Sequence, residues 1–156
     1  MSADPFLDQD RRVLTPEAFE FVFSNELKRA MRSQNFLTLL VIEPAGCNPA
    51  ECRQAVREIG RIIGREVRET DLVSPTEKNR LSVVLLDADL QNSMRVVDRL
   101  RARFEHYQFA TPTAISVGIA SCPMHGADAD TLRQAAELRG FPNSLRESPG
   151  NASNAQ

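Results

Sequence analysis

The chain has 156 residues, 42% hydrophobic and 26% charged, which suits one globular domain with a single core and is too short for two. Lys plus Arg number 19 against 21 Asp plus Glu, and the formal net charge of −2 argues against a bulk electrostatic grip on a nucleic-acid polymer. No apolar run reaches membrane-spanning length, and Met-Ser-Ala-Asp-Pro at the start lacks a secretory pattern, so a cytoplasmic protein without a membrane segment is expected.

Residues 1–13 are polar and charged and read as an irregular segment. Thr15-Pro16 opens a helix, a capping hydroxyl followed by proline at the first helical position. Phe19, Val22, Phe23, Leu27, Ala30 and Met31 then recur at helical spacing. The nearly continuous apolar run 36–42 reads as a buried strand. Asn48-Pro49-Ala50-Glu51 has the form of a capping box for a second helix. Its inner face comprises Cys52, Ala55, Val56, Ile59, Ile62, Ile63 and Val67. Residues 71–74, a turn over 75–80 and residues 81–86 make a hairpin. A third helix carries Leu90, Met94, Val97, Leu100 and Phe104 on one side. In 113–121, Ile115, Val117 and Ile119 alternate with small residues, the pattern of a half-buried strand. Asp130 is the expected cap of a last helix over 131–138. The tail 141–156 is poor in apolar residues and is expected to be disordered, which leaves 14–140 as the domain. Cys47, Cys52 and Cys122 are odd in number and lack CxxC spacing, so three reduced thiols are expected. Helices interleaved with a hairpin imply an α+β fold, a mixed, largely antiparallel sheet flanked by helices.

Several segments, in order, resemble the GGDEF (diguanylate cyclase) family. FLTLLVIE at 36–43 is similar to its first strand, which ends in a metal-binding acid. AVREIGRIIGREVRETDLV at 55–73, LSVVLLDADLQNSMRVVDRLRARF at 81–104 and ISVGIASCPMHGADADTLRQA at 115–135 match its long helix, its hairpin arm with the next helix, and its last strand and helix. The likeness spans roughly residues 10 to 138 and implies a ferredoxin-like, polymerase-palm type fold. The family signature then falls on Glu77, Lys78, Asn79, Arg80 and Leu81. Glu77 and Lys78 stand where active members have the glycines that let backbone approach GTP. Asn79 and Arg80 replace acids that serve the metal, so Glu43 is the only residual candidate ligand, and no metal or other cofactor is expected. Asn79 also suits the left-handed conformation that a tight hairpin needs once glycine is gone. The segment after Glu43 is shorter than the family's and lacks its guanine-pocket elements, and the lysine that follows the family's last helix is missing. The resemblance therefore implies a chain that is not an enzyme.

What the resemblance retains is Arg68-Glu69-Thr70-Asp71, an RxxD motif five residues before the altered signature, where the family binds its product cyclic di-GMP as inhibitor. An arginine fork suits guanine O6 and N7 or a phosphate, and an aspartate can accept from the guanine N1 and N2 edge. Arg99 falls where the family has a further arginine on the next helix, and Arg29 where a partner's first helix completes the site. The expectation is a non-catalytic cyclic di-GMP receptor that uses Arg68, Asp71, Arg99 and Arg29 and signals through a homodimer or by docking an unidentified protein. One alternative is an interaction module that binds no nucleotide, with Arg68 and Asp71 a surface ion pair worth roughly 0–1 kcal/mol. The other is a weak cyclase or GTP-binding regulator that depends on Glu43.

Overall fold

The structure, a computed structural model, describes residues 13–76, 79–138 and 141–142. The N-terminal segment up to residue 12, Glu77 and Lys78, where the resemblance puts the signature, residues 139–140, and the tail beyond 142 lie outside the described residues. The elements in chain order are α1 (Pro16–Ser33), β1 (Leu37–Ala45), α2 (Pro49–Glu66), β2 (Leu72–Thr76), β3 (Arg80–Leu86), α3 (Leu90–His106), β4 (Ala114–Cys122), α4 (Ala129–Leu138) and β5 (Phe141–Pro142). The sheet order is β2-β3-β1-β4-β5, and every strand pair is antiparallel. Parallel pairing enters through an isolated bridge from Val13 to Val73. The α+β class and palm-like arrangement expected from the sequence are therefore those of the structure. The sheet also runs past residue 140, because Phe141–Pro142, expected to open the tail, pairs with β4.

β1 is the central strand, and its alternating side chains feed two cores. Leu40 and Ile42 face α2 and α3, packing with Val56, Ile59, Ile63, Val97, Leu100 and Phe104. Leu37, Leu39 and Val41 face α1 and α4, packing with Phe19, Phe23, Leu27, Leu132 and Ala136. The second layer explains why β4 is not half-buried as its alternation suggests. Ala120 and Cys122 on its other face are covered by α1 and α4. Burial also pushes the Cys122 thiol pKa up. Met31, expected inside, is about half exposed near the end of α1.

Prolines stand where the ladder tolerates them. Pro75 is on the edge strand β2, and Pro44 lies beyond the last β1–β3 pair, Ile42 with Leu81. Thr15 and Asn48 cap α1 and α2 as expected, and the reciprocal bonds between Asn48 and Glu51 complete the capping box. The cap of α4 is Asp128 rather than Asp130: Asp128 Oδ1 accepts from Thr131 N at 2.8 Å, three residues on. That bond and the Thr131 hydroxyl hold the Asp128 pKa below its ordinary value.

The cysteines also depart from expectation. Cys47 and Cys52 form a disulfide with Cα atoms 5.5 Å apart, and Cys122 is the free thiol. The reason is local. The two residues precede and follow the start of α2 at the positions where a hydrophobic staple brings side chains together across a helix N-terminus.

Candidate ligand site

Arg68 and Asp71 sit in the turn between α2 and β2, and the three-residue spacing is what closes it. Asp71 N donates to Arg68 O at 3.0 Å, and Arg68 N donates back to Asp71 Oδ2 at 3.0 Å. The Arg68 guanidinium reaches the same carboxylate, Nη2 to Oδ1 at 3.2 Å, and Nη2 also donates to Leu86 O. Leu86 N donates to Asp71 Oδ1 at 3.1 Å. The side chain of Asp71 thus continues the β2–β3 ladder one step beyond the Leu72–Val84 pair.

This geometry separates two residues that the motif groups. The Asp71 side chain is 3% exposed, and its oxygens are taken up by backbone and guanidinium donors. It is not the open acceptor for a guanine edge expected from the sequence; as placed it holds the turn and the arginine. The Arg68 side chain is 59% exposed and forms the accessible half of the pair.

Arg99 comes to the same place from α3. Arg68, Asp71 and Arg99 line one shallow pocket of about 250 Å³ with Glu66, Asp87 and Asn92, floored by Leu85 and Val96. Arg99 Nη2 donates to Glu66 O at 2.9 Å and Nε to Glu66 Oε1 at 3.3 Å, with its side chain 51% exposed. Arg103, one turn further along α3, donates from Nε to Glu66 Oε2 at 2.8 Å. Sequence reasoning passed over Glu66 and Arg103; the available signal was the i, i+4 spacing of Arg99 and Arg103. Arg29 is not brought to this pocket. It lies on α1, in the layer across the sheet from α2 and α3, exposed and paired with Glu26 at 3.7 Å.

Arg80, with Glu43 and Glu137, makes a second polar site. Asn79 has φ +59, the left-handed conformation expected of it. Arg80 Nε lies 2.5 Å from Glu43 Oε1 and Nη1 lies 2.7 Å from Glu137 Oε2, so the guanidinium joins β3, β1 and α4. Burial alone pulls its pKa down, and the bonds and charges of Glu43 and Glu137 outweigh that, so its pKa is raised. Arg80 thus holds an oxygen of the Glu43 carboxylate, and Asn79 beside it carries no charge. Among the described residues no three His, Cys, Asp or Glu side chains converge as metal ligands.

No family model and no curated protein matches the chain. Solved structures do. The GGDEF domain of TpbB (YfiN) from Pseudomonas aeruginosa is similar at a TM-score of 0.74 and 20% identity, covering 88% of this chain and 86% of that one. A DGC protein from Thermotoga maritima gives 0.73 and 18%, covering 88% and 100%. A microbial GGDEF domain described in its interaction with cyclic di-GMP gives 0.63 and 18%, covering 86% and 87%. The chain therefore has the fold of GGDEF, diguanylate cyclase-type domains.

Proposed function

We propose that the chain is a non-catalytic receptor for cyclic di-GMP, binding it at the pocket of Arg68 and Arg99. The observation that carries this is the convergence of two half-exposed arginines from separate elements on one pocket, with Asp71 and Leu86 fixing one of them. Guanidinium forks suit the phosphodiester and the guanine Hoogsteen edge. Support also comes from a neighbour of the same fold that interacts with cyclic di-GMP. Loss of catalysis is supported by the Glu43–Arg80–Glu137 cluster, which puts a cation on the carboxylate that a metal would need. Dimerisation through Arg29, or docking of a protein, would be the output.

Isothermal titration calorimetry with cyclic di-GMP tests the reading. Saturable heat in the wild type, lost in both Arg68→Ala and Arg99→Ala, is expected. Incubation with GTP and Mg²⁺ is expected to yield no cyclic product. Wild-type silence would favour the second reading, an interaction module without a nucleotide. One observation favours that module: Arg68 and Arg99 already have acceptors within the chain. Cyclic product from GTP would instead restore the residual-cyclase reading.

A further inference from the structure

Glu66 is the last residue of α2, and its side chain is 14% exposed between two arginines of α3. Each carboxylate oxygen serves a different one, Oε1 accepting from Arg99 and Oε2 from Arg103. Its backbone carbonyl also accepts from Arg99, at the helix end where partial negative charge collects. Arg99 and Arg103 are like charges one turn apart, an arrangement that is unfavourable without an anion between them. Glu66 supplies that anion from within the chain.

Glu66 is also a wall shared by two cavities. On one side is the pocket of Arg68 and Arg99. On the other is a cavity of about 410 Å³ lined by Ile62, Arg65, Glu66, Arg103, His106 and Tyr107. Arg68 and Arg99 line the first cavity, Arg65 and Arg103 the second, and Glu66 belongs to both.

We infer that Glu66 is an internal competitor for the phosphate of the ligand, and that Arg103 joins the phosphate contact once Glu66 is displaced. The inference rests on the reading of the Arg68–Arg99 pocket as a phosphodiester site. Carboxylate and phosphodiester are both monoanions with two oxygens that an arginine fork can hold, so one can exchange for the other. Only the protein with Glu66 displaced offers Arg99 and Arg103 fully, so apparent affinity is reduced by the fraction in which it is closed.

The test is calorimetric titration of the intact chain at low salt with two separate probes, cyclic di-GMP and inorganic pyrophosphate. Glu66→Gln keeps the shape and removes the charge, and is expected to tighten both probes by about five- to tenfold. Arg103→Ala is expected to weaken both by a similar factor. Unchanged affinities in Glu66→Gln, or no binding of either probe to it, overturn the inference. If pyrophosphate responds to Glu66→Gln while cyclic di-GMP binds no variant, the competitor stands and the cyclic dinucleotide reading falls. Should Glu66→Gln not fold, Arg103→Ala decides alone, and affinities unchanged from wild type for both probes overturn the inference.

Discussion

Asp71 is the residue on which the turn after α2 depends. It accepts from two backbone amides, Arg68 N and Leu86 N, and from the Arg68 guanidinium, in a nearly closed environment. Asp71→Ala leaves those amides without an acceptor and is expected to cost about 2–3 kcal/mol, read from urea denaturation midpoints. Loss of ligand binding in that variant would therefore not separate contact from collapse, whereas Arg68→Ala removes an exposed group. That Arg68, Asp71 and Arg99 would lie near one another was an expectation from the family resemblance, and the three do line one pocket. The division of labour was not legible. An RxxD string does not say which partner is buried, since that depends on Leu86, fifteen residues away in the chain, arriving as β3 beside the turn. Arg80 shows the same limit. Its charge read as hostile to a metal, but its grip on Glu137 requires α4 to fold back over the sheet.

At the scale of elements, the capping residues set most boundaries, and they were the easiest features to read. Thr15 and Asn48 are followed by proline, which marks the first helical position without reference to tertiary structure. Asn48→Ala removes one half of the capping box and is expected to cost about 1 kcal/mol, measurable as a lower melting temperature. Asp128 was missed in favour of Asp130, because two aspartates two positions apart offer the same chemistry and the Thr131 amide decides between them. Its lowered pKa fixes the sign of a pH effect. A carboxylate with a folded pKa below its unfolded value adds stability above the unfolded value, and loses it as pH falls through the folded one. The stability gap between wild type and Asp128→Ala is thus expected to be constant near neutrality and to close in acid below the usual aspartate range. The disulfide was illegible for a different reason. Compartment arguments spoke for free thiols, while the proximity of Cys47 to Cys52 follows from the chain turning into α2 between them.

For the whole molecule, the sheet is one wall with two cores. Leu39 and Leu40 are adjacent in β1, both nearly inaccessible, and serve opposite sides. Leu39→Ala and Leu40→Ala are each expected to cost about 2–5 kcal/mol. Because both cores hang on the same strand, each variant is expected to unfold in one transition that coincides by circular dichroism and by fluorescence of an external dye. Two separated transitions would mean that the layers fold independently. The alternation of β1 could not be read from its continuous apolar run, since a strand covered on both faces carries no polar marker of its register.

The position of Arg29 across the sheet from Arg68 governs how copies of this chain could be assembled around a ligand. A molecule gripped by Arg68 of one copy and Arg29 of the next uses different patches on each. Around a twofold axis such contacts come in reciprocal pairs and end in a closed couple with two equivalent sites. Without that axis the same contacts repeat head to tail, and the product is an open file whose length grows with concentration.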